Sequence, residues 1–253
     1  MDNLRKNGSK PQKELGRGAV PVDKHDKINR VRILAGKSVC SIHLANDDLG
    51  SGAFYKVIDN RGGERFLVMT CHHVLPTTST LRISQVQFKF YDIPQMKCIT
   101  LDKTQVKNVW TEDILDATVI ELYPEIASLY KSYGAEFLQI GEVKPNVDVV
   151  ILQYPWGIFS IADGDIEEVN RNGTRLFYRI GTESGSSGSP LLDLDCVALG
   201  MHNTGQTGVS SREPNAFRVA TALSAIVLAY LGDRPNDEPN TRILKYYFFL
   251  YVS

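Results

Sequence analysis

Residues 185–192 read Gly185-Ser186-Ser187-Gly188-Ser189-Pro190-Leu191-Leu192. Small residues flank Ser187, so the backbone N–H groups of Gly185 and Ser187 can converge on one oxygen while the Ser187 hydroxyl stays available as a nucleophile. Pro190 and the two leucines make the segment the entry of a buried strand rather than a flexible Gly/Ser linker. Two further signals precede it in the chain. Leu67-Val68-Met69-Thr70-Cys71-His72-His73-Val74 is a β-like run that ends in a polar turn carrying histidine. Asp113-Ile114-Leu115-Asp116-Ala117-Thr118-Val119-Ile120 places an acid directly before an apolar strand. Acyl transfer needs a hydroxyl nucleophile, a base to take its proton, and a carboxylate to orient that base. All three are present, in the order His, Asp, Ser.

Outward from these segments the chain is punctuated by short β-like runs: Ser38–Leu44, Ala53–Ile58, Phe66–Met69, Gln85–Tyr91, Ala117–Leu122, Val147–Gln153, Arg175–Ile180 and Cys196–Met201. Asn60-Arg61-Gly62-Gly63 and Asn170-Arg171-Asn172-Gly173 supply turn chemistry between strands. Ile126–Tyr133 reads as a short helix, and Thr221 as the cap of a helix over Ala222–Leu231 that Gly232 stops. Many short strands without βαβ alternation define an all-β barrel or sandwich.

The histidine, aspartate and serine segments together resemble the trypsin-like (chymotrypsin-fold) serine peptidases over residues 37–231. The resemblance rests on Thr70-x-x-His73-Val74, Asp116-Ala-Thr-Val-Ile and Gly-Ser-Ser187-Gly-Ser-Pro. It implies a double six-stranded antiparallel β-barrel with a C-terminal helix, and a serine endopeptidase with His73 as general base, Asp116 orienting it and Ser187 as nucleophile. Gly185 and Ser187 would form the oxyanion hole. The α/β-hydrolase pattern fails, because Ser189 stands where its second glycine is needed and the order of the residues is wrong. His72 competes with His73, and Asp113 with Asp116, but only His73 and Asp116 have the flanking residues of the motif. Ser184, Ser186 and Ser189 read as turn residues. A Cys71-His72-His73 metal cluster lacks a further ligand, and neither a metal nor an organic cofactor is implied.

By the same resemblance Gly181, six residues before Ser187, stands at the floor of the S1 pocket and carries no charge, which argues against Arg or Lys at P1. Thr182 and His202 resemble the S1 pair of glutamyl endopeptidases and of viral proteases that cut after Gln. A protonated His202 would make a Glu preference depend on pH, and Glu183 at the rim would repel an acidic P1. An apolar pocket serving a hydrophobic P1 is the competing reading. Asn203-Thr204-Gly205 would pair with the substrate backbone. Arg32-Ile33-Leu34-Ala35-Gly36 is similar to an activation site, yet Ser186 replaces the aspartate that would receive a new N-terminus. The motif style is thus closest to glutamyl, heat-shock-type and intracellular animal proteases. A catalytically silent scaffold on the same fold is the rival from another class.

Composition sets the boundaries. Among 253 residues, 28 basic and 29 acidic side chains leave a formal charge of -1, which argues against a nucleic-acid coat. No apolar run reaches the length of a membrane span. Residues 1–30 carry eight basic and four acidic side chains and few large apolar groups, the composition of a flexible basic arm. A peptidase domain would fill 31–232, with barrels over about 31–125 and 135–220 and a helix over 221–231; a tail, 233–253, ends in the aromatic run Tyr246–Tyr251. Arm or tail could receive a regulatory partner, and the substrate would be a protein or peptide. Without an apolar h-region after Met1, and with no C-x-x-C pair among Cys40, Cys71, Cys98 and Cys196, an intracellular, cytoplasmic location with free thiols is expected.

Overall fold

β-branched and aromatic runs pair along the chain into two antiparallel sheets. The computed structural model describes residues 22–43, 49–76, 86–91, 93, 98–205 and 217–233. The first sheet contains β1 (Val39–His43), β2 (Leu49–Ile58), β3 (Glu64–Thr70), β4 (Gln87–Lys89), β5 (Ile99–Thr100), β6 (Val106–Glu112) and β7 (Ala117–Leu122), in the order β5-β4-β1-β2-β3-β7-β6. The second contains β8 (Val147–Gln153), β9 (Ser160–Val169), β10 (Arg175–Tyr178), β11 (Pro190–Asp193), β12 (Ala198–Gly205) and β13 (Arg218–Ala222), closed as β10-β13-β12-β11-β8-β9. Among the described residues the expected pair of barrels is therefore one closed six-stranded barrel and one seven-stranded half-barrel.

Both expected turns form. Asp59 Oδ1 accepts the N–H groups of Arg61 and Gly63 in the β2–β3 hairpin, and Gly62 takes the positive φ that only glycine adopts without strain. Asn170 Oδ1 gathers the N–H groups of Thr174 and Arg175 between β9 and β10. The strands that pattern reading missed, notably β6 and β9, carry Lys107, Asn108, Asp163, Asp165, Glu167 and Glu168 on half-solvated faces, so continuous apolar runs never appear.

Three helices cover the sheets: α1 (Val22–Ala35), α2 (Pro124–Ser132) and α3 (Leu223–Gly232). Residues 22–30, expected within a flexible arm, belong to α1. Their composition hid this because α1 buries only a narrow stripe, including Val31 and Ala35, and ties Lys24 to Asp148 on β8 at 2.7 Å. The activation-like segment Arg32–Gly36 is the last turn of this helix and the 3₁₀ turn after it. Thr221 does not cap α3. It lies in β13, Ala222 is the N-cap without a side-chain bond, and the Thr221 hydroxyl is used elsewhere. No described helix is long and apolar enough to cross a membrane. The aromatic tail lies outside the described residues.

The main core fills the half-barrel and the seam between the sheets, and a smaller cluster fills the closed barrel. At the centre of the first, Phe54 stacks on Tyr130 and Phe137 and meets Phe88 and Phe90 edge-on, at centroid distances of 5.2–6.1 Å. Nearby, the buried Glu121 carboxylate is matched by Arg65 at 3.1 Å, Lys107 at 3.3 Å and the Tyr230 hydroxyl of α3 at 2.5 Å. The fold predicts that Phe54→Ala costs about 3–5 kcal/mol in denaturant unfolding, because four rings lose their common partner. A cost below about 1 kcal/mol, on the scale of an ordinary surface change, would contradict this packing.

Candidate active site

The cleft between the sheets brings the three sequence signals together. His73 sits in the turn after β3, Asp116 directly before β7, and Ser187 in the turn leading into β11. The His73 Nδ1 atom lies 2.9 Å from Asp116 Oδ2 and 3.0 Å from Oδ1, and the His73 backbone N–H donates to Oδ1 at 3.0 Å. A third donor is the Asn203 side chain on β12, whose Nδ2 reaches Asp116 Oδ2 at 2.9 Å. Burial works to raise the Asp116 carboxyl, but the bonds from the His73 ring, the Asn203 amide and the His73 N–H outweigh it and hold the group below its usual value. Asp116 has a φ of +51°, a conformation uncommon outside glycine but tolerated by aspartate.

Ser187 follows from the local chain. Gly185 and Gly188 both have positive φ, +93° and +91°. Space excludes a side chain at Gly188: an added Cβ would stand 2.0 Å from the Ser51 carbonyl oxygen and 2.5 Å from Thr70 Oγ1. The loop is fixed from β2 by Ser51, whose N–H donates to Ser187 O at 2.8 Å and whose hydroxyl donates to Gly185 O at 2.8 Å. The Gly188 N–H donates to His202 O at 2.7 Å. Ser186 is fully buried, with its Oγ accepting the Glu183 N–H at 3.1 Å. The Ser187 hydroxyl donates to the Asn203 carbonyl at 2.8 Å rather than to His73. Asn203 therefore touches Asp116 with its side chain and Ser187 with its backbone.

The competitors fall away on geometry. His72 turns from the cleft and pairs with Asp113 at 2.8 Å. Cys71, His73 and Asp116 bring potential ligand atoms within 4.8 Å of one another. These groups are already engaged with one another and with the fold: the buried Cys71 thiol donates to His202 O at 3.1 Å, and Asp116 accepts from the His73 ring, the His73 N–H and the Asn203 amide.

The residues expected around S1 are present but differ in state. Thr182 is buried and its Oγ1 accepts from Arg218 Nε at 3.0 Å. His202 is 3% exposed, its Nδ1 lies 2.5 Å from the Tyr178 hydroxyl, and a Val219 backbone group bonds its ring. Burial, aided by the Arg218 charge, lowers His202 to about 3, so without substrate its ring is neutral at neutral pH. Among the described residues, nothing lies within 4 Å of a Cβ built on Gly181 at the expected pocket floor. Glu183 accepts the Trp156 indole N–H at 2.7 Å instead of standing free at the rim, and Trp156 itself adopts a φ of +55°. Thr204 and Gly205 pair in register with Val219 and Arg218 along β12 and β13.

Sequence reading missed Ser51, Arg175, Tyr178 and the side-chain role of Asn203. For Ser51 the signal was available: Gly50-Ser51-Gly52 inside a strand marks a close backbone approach. Arg175 and Tyr178 reach the site from β10, a distance in sequence that no local motif bridges.

A half-barrel and a closed barrel meeting at a carboxylate-bound histidine and a glycine-flanked serine define the chymotrypsin-type serine endopeptidases. The chain belongs to the trypsin-like peptidase family, whose sequence profile it matches over residues 50–201. Among solved structures it is similar to the active form of the Rv3671c protease from M. tuberculosis, at 18% identity and TM-score 0.56, covering 93% of this chain and 97% of that one. The serine endoprotease from Yersinia pestis matches at 15% identity and TM-score 0.56, over 81% and 66% of the chains. Deg5 matches at 16% and 0.55, over 85% and 94%. Curated protein sequences give no match.

Gly188→Ala is expected to abolish labelling by a fluorophosphonate while the circular dichroism spectrum stays β-rich, since the methyl must push the Ser187 turn off Ser51. Labelling at the wild-type rate would show that the turn is not constrained as described.

Proposed function

We propose that the chain cleaves peptide bonds through His73, Asp116 and Ser187 by way of an acyl-enzyme. The observation that carries this reading is the His73–Asp116 pair held at 2.9 Å in the cleft beside the Ser187 turn. Ser187 Oγ attacks the scissile carbonyl carbon and its proton passes to His73 Nε2. Asp116, kept ionised by its donors, stabilises the imidazolium that forms. The N–H groups of Gly185 and Ser187 are engaged by no other acceptor among the described residues and are available to the tetrahedral oxyanion. Collapse breaks the C–N bond as His73 returns the proton to the leaving amine. Water, deprotonated by His73, then hydrolyses the ester.

The substrate strand lies along Asn203-Thr204-Gly205, and S1 is bounded by Gly181, Thr182 and His202. The side chains of Thr182 and His202, with Tyr178 and the buried guanidinium of Arg218 behind Thr182, are polar, which favours Glu or Gln at P1 over a hydrophobic residue. All four cysteines are free, Cys98 on the surface, which fits a reducing, intracellular setting.

Fluorophosphonate treatment should give a single adduct on Ser187 that is lost in His73→Ala, and Ser187→Ala should abolish peptide cleavage. A folded wild-type chain that takes no label and cleaves nothing would instead support a binding scaffold. In a P1-varied peptide library, Glu and Gln should lead, and their ratio should stay constant between pH 6 and 8 because His202 is neutral throughout. A Glu/Gln ratio that rises as pH falls toward 6 would return the protonated-His202 reading.

A further inference from the structure

The turn Asp113–Asp116 presents the carboxylate of the proposed triad, and each of its residues is held by a separate polar group. Asp113 pairs with His72 at 2.8 Å, and its carbonyl accepts the Asp116 N–H at 3.1 Å. The Ile114 carbonyl accepts from Arg175 Nη2. The Leu115 carbonyl lies 2.8 Å from Thr221 Oγ1. The Asp116 carboxylate receives His73 and Asn203. His72 and His73 belong to the same half-barrel as the turn, whereas Arg175 (β10), Thr221 (β13) and Asn203 (β12) come from the closed barrel.

The three closed-barrel groups are themselves linked. Arg175 Nη1 donates to Thr221 Oγ1 at 2.5 Å and to Asn203 Oδ1 at 3.4 Å, and Thr221 Oγ1 lies 2.8 Å from the same Asn203 oxygen. The one hydrogen of the Thr221 hydroxyl goes to either the Leu115 carbonyl or Asn203 Oδ1; the Arg175 Nη1 group, which can only donate, keeps Oδ1 on its side of the amide and leaves Nδ2 to Asp116. One planar guanidinium thus grips the turn at Ile114 and sets the amide that grips Asp116.

We propose that Arg175, acting through Thr221 and Asn203, is a positioning residue that fixes Asp116, and hence the His73 ring, from the opposite barrel. The inference rests on the peptidase reading above. Arg175 needs its fork because Ile114 O on one side and Thr221 Oγ1 with Asn203 Oδ1 on the other must be met from one half-buried head; a lysine ammonium meets them as a point charge without that geometry. The charged and titratable groups facing Asp116 are His73 from its own half-barrel and Arg175 from the closed barrel; Cys71 and His202 are held neutral beside it.

The test uses the full chain with Arg175→Gln, Arg175→Lys, Thr221→Val and Thr221→Ser. It measures kcat and KM on the best library peptide, together with the downfield proton resonance of the His73 Nδ1–H. Arg175→Gln and Thr221→Val should lower kcat by about a hundredfold with KM unchanged, the penalty of a small misplacement at the reacting centre. Their Nδ1–H resonance should weaken through faster exchange. Thr221→Ser, which keeps the hydroxyl, should match the wild type, and Arg175→Lys should fall between. If Arg175→Gln fails to fold, the Val and Ser pair at Thr221 decides. Folded variants with wild-type kcat, or an unaltered resonance, overturn the proposal. A folded wild type that shows the resonance yet cleaves no peptide overturns the peptidase reading alone, and the resonance comparison still judges Arg175.

Discussion

Ser51 joins the two barrels through its N–H and its hydroxyl, while its carbonyl is held within its own sheet by Thr70 on β3. Its N–H binds Ser187 O, its hydroxyl donates to Gly185 O and accepts the Tyr154 N–H at 3.1 Å, and its carbonyl accepts from Thr70 Oγ1 at 2.7 Å. The residue is fully buried, so any bond lost there leaves a desolvated group without compensation. The Ser187 turn comes from the closed barrel but takes its shape from a strand of the half-barrel. The reverse holds for Asp116, a half-barrel residue shaped by β10, β12 and β13. Neither half of the site is complete on its own sheet.

This reciprocity explains the electrostatics of the cleft. A half-buried carboxylate is costly unless donors surround it. Here backbone, imidazole and amide donors converge on Asp116, and the nearby groups that could have added negative charge stay neutral: burial raises the Cys71 thiol and the Tyr178 phenol. His202, neutral against Tyr178, adds no competing positive charge. Asp116 is the carboxylate that touches the His73 ring, and Arg175 stands behind it.

The three motifs were legible because each chemical group is anchored by its immediate neighbours: Thr70 and Val74 frame His73, the apolar β7 follows Asp116, and two glycines bracket Ser187. The all-β character followed from short runs between turns such as 60–63 and 170–173. What stayed hidden depends on three-dimensional proximity. Arg175 looked like an ordinary strand residue, and Thr221 like a helix cap, since a threonine before an apolar run fits both roles and only pairing with Met201 selects the strand. His202 looked titratable because sequence shows residue type and not burial. α1 was mistaken for part of an arm because a helix that buries one narrow stripe keeps a polar composition.

The two end helices cross over. α1, at the front of the described chain, is tied through Lys24 to β8 of the closed barrel, whereas α3, at its end, reaches back to the half-barrel through Tyr230 on Glu121 and through Asp233, which accepts the Trp110 indole N–H at 3.1 Å. Each end helix is thus buckled to the barrel built by the other half of the sequence, like a pair of diagonal braces. Hinging the barrels apart would load both braces at once, so the cleft resists gaping. A nick in the connection between the halves would leave them clasped together rather than set them free.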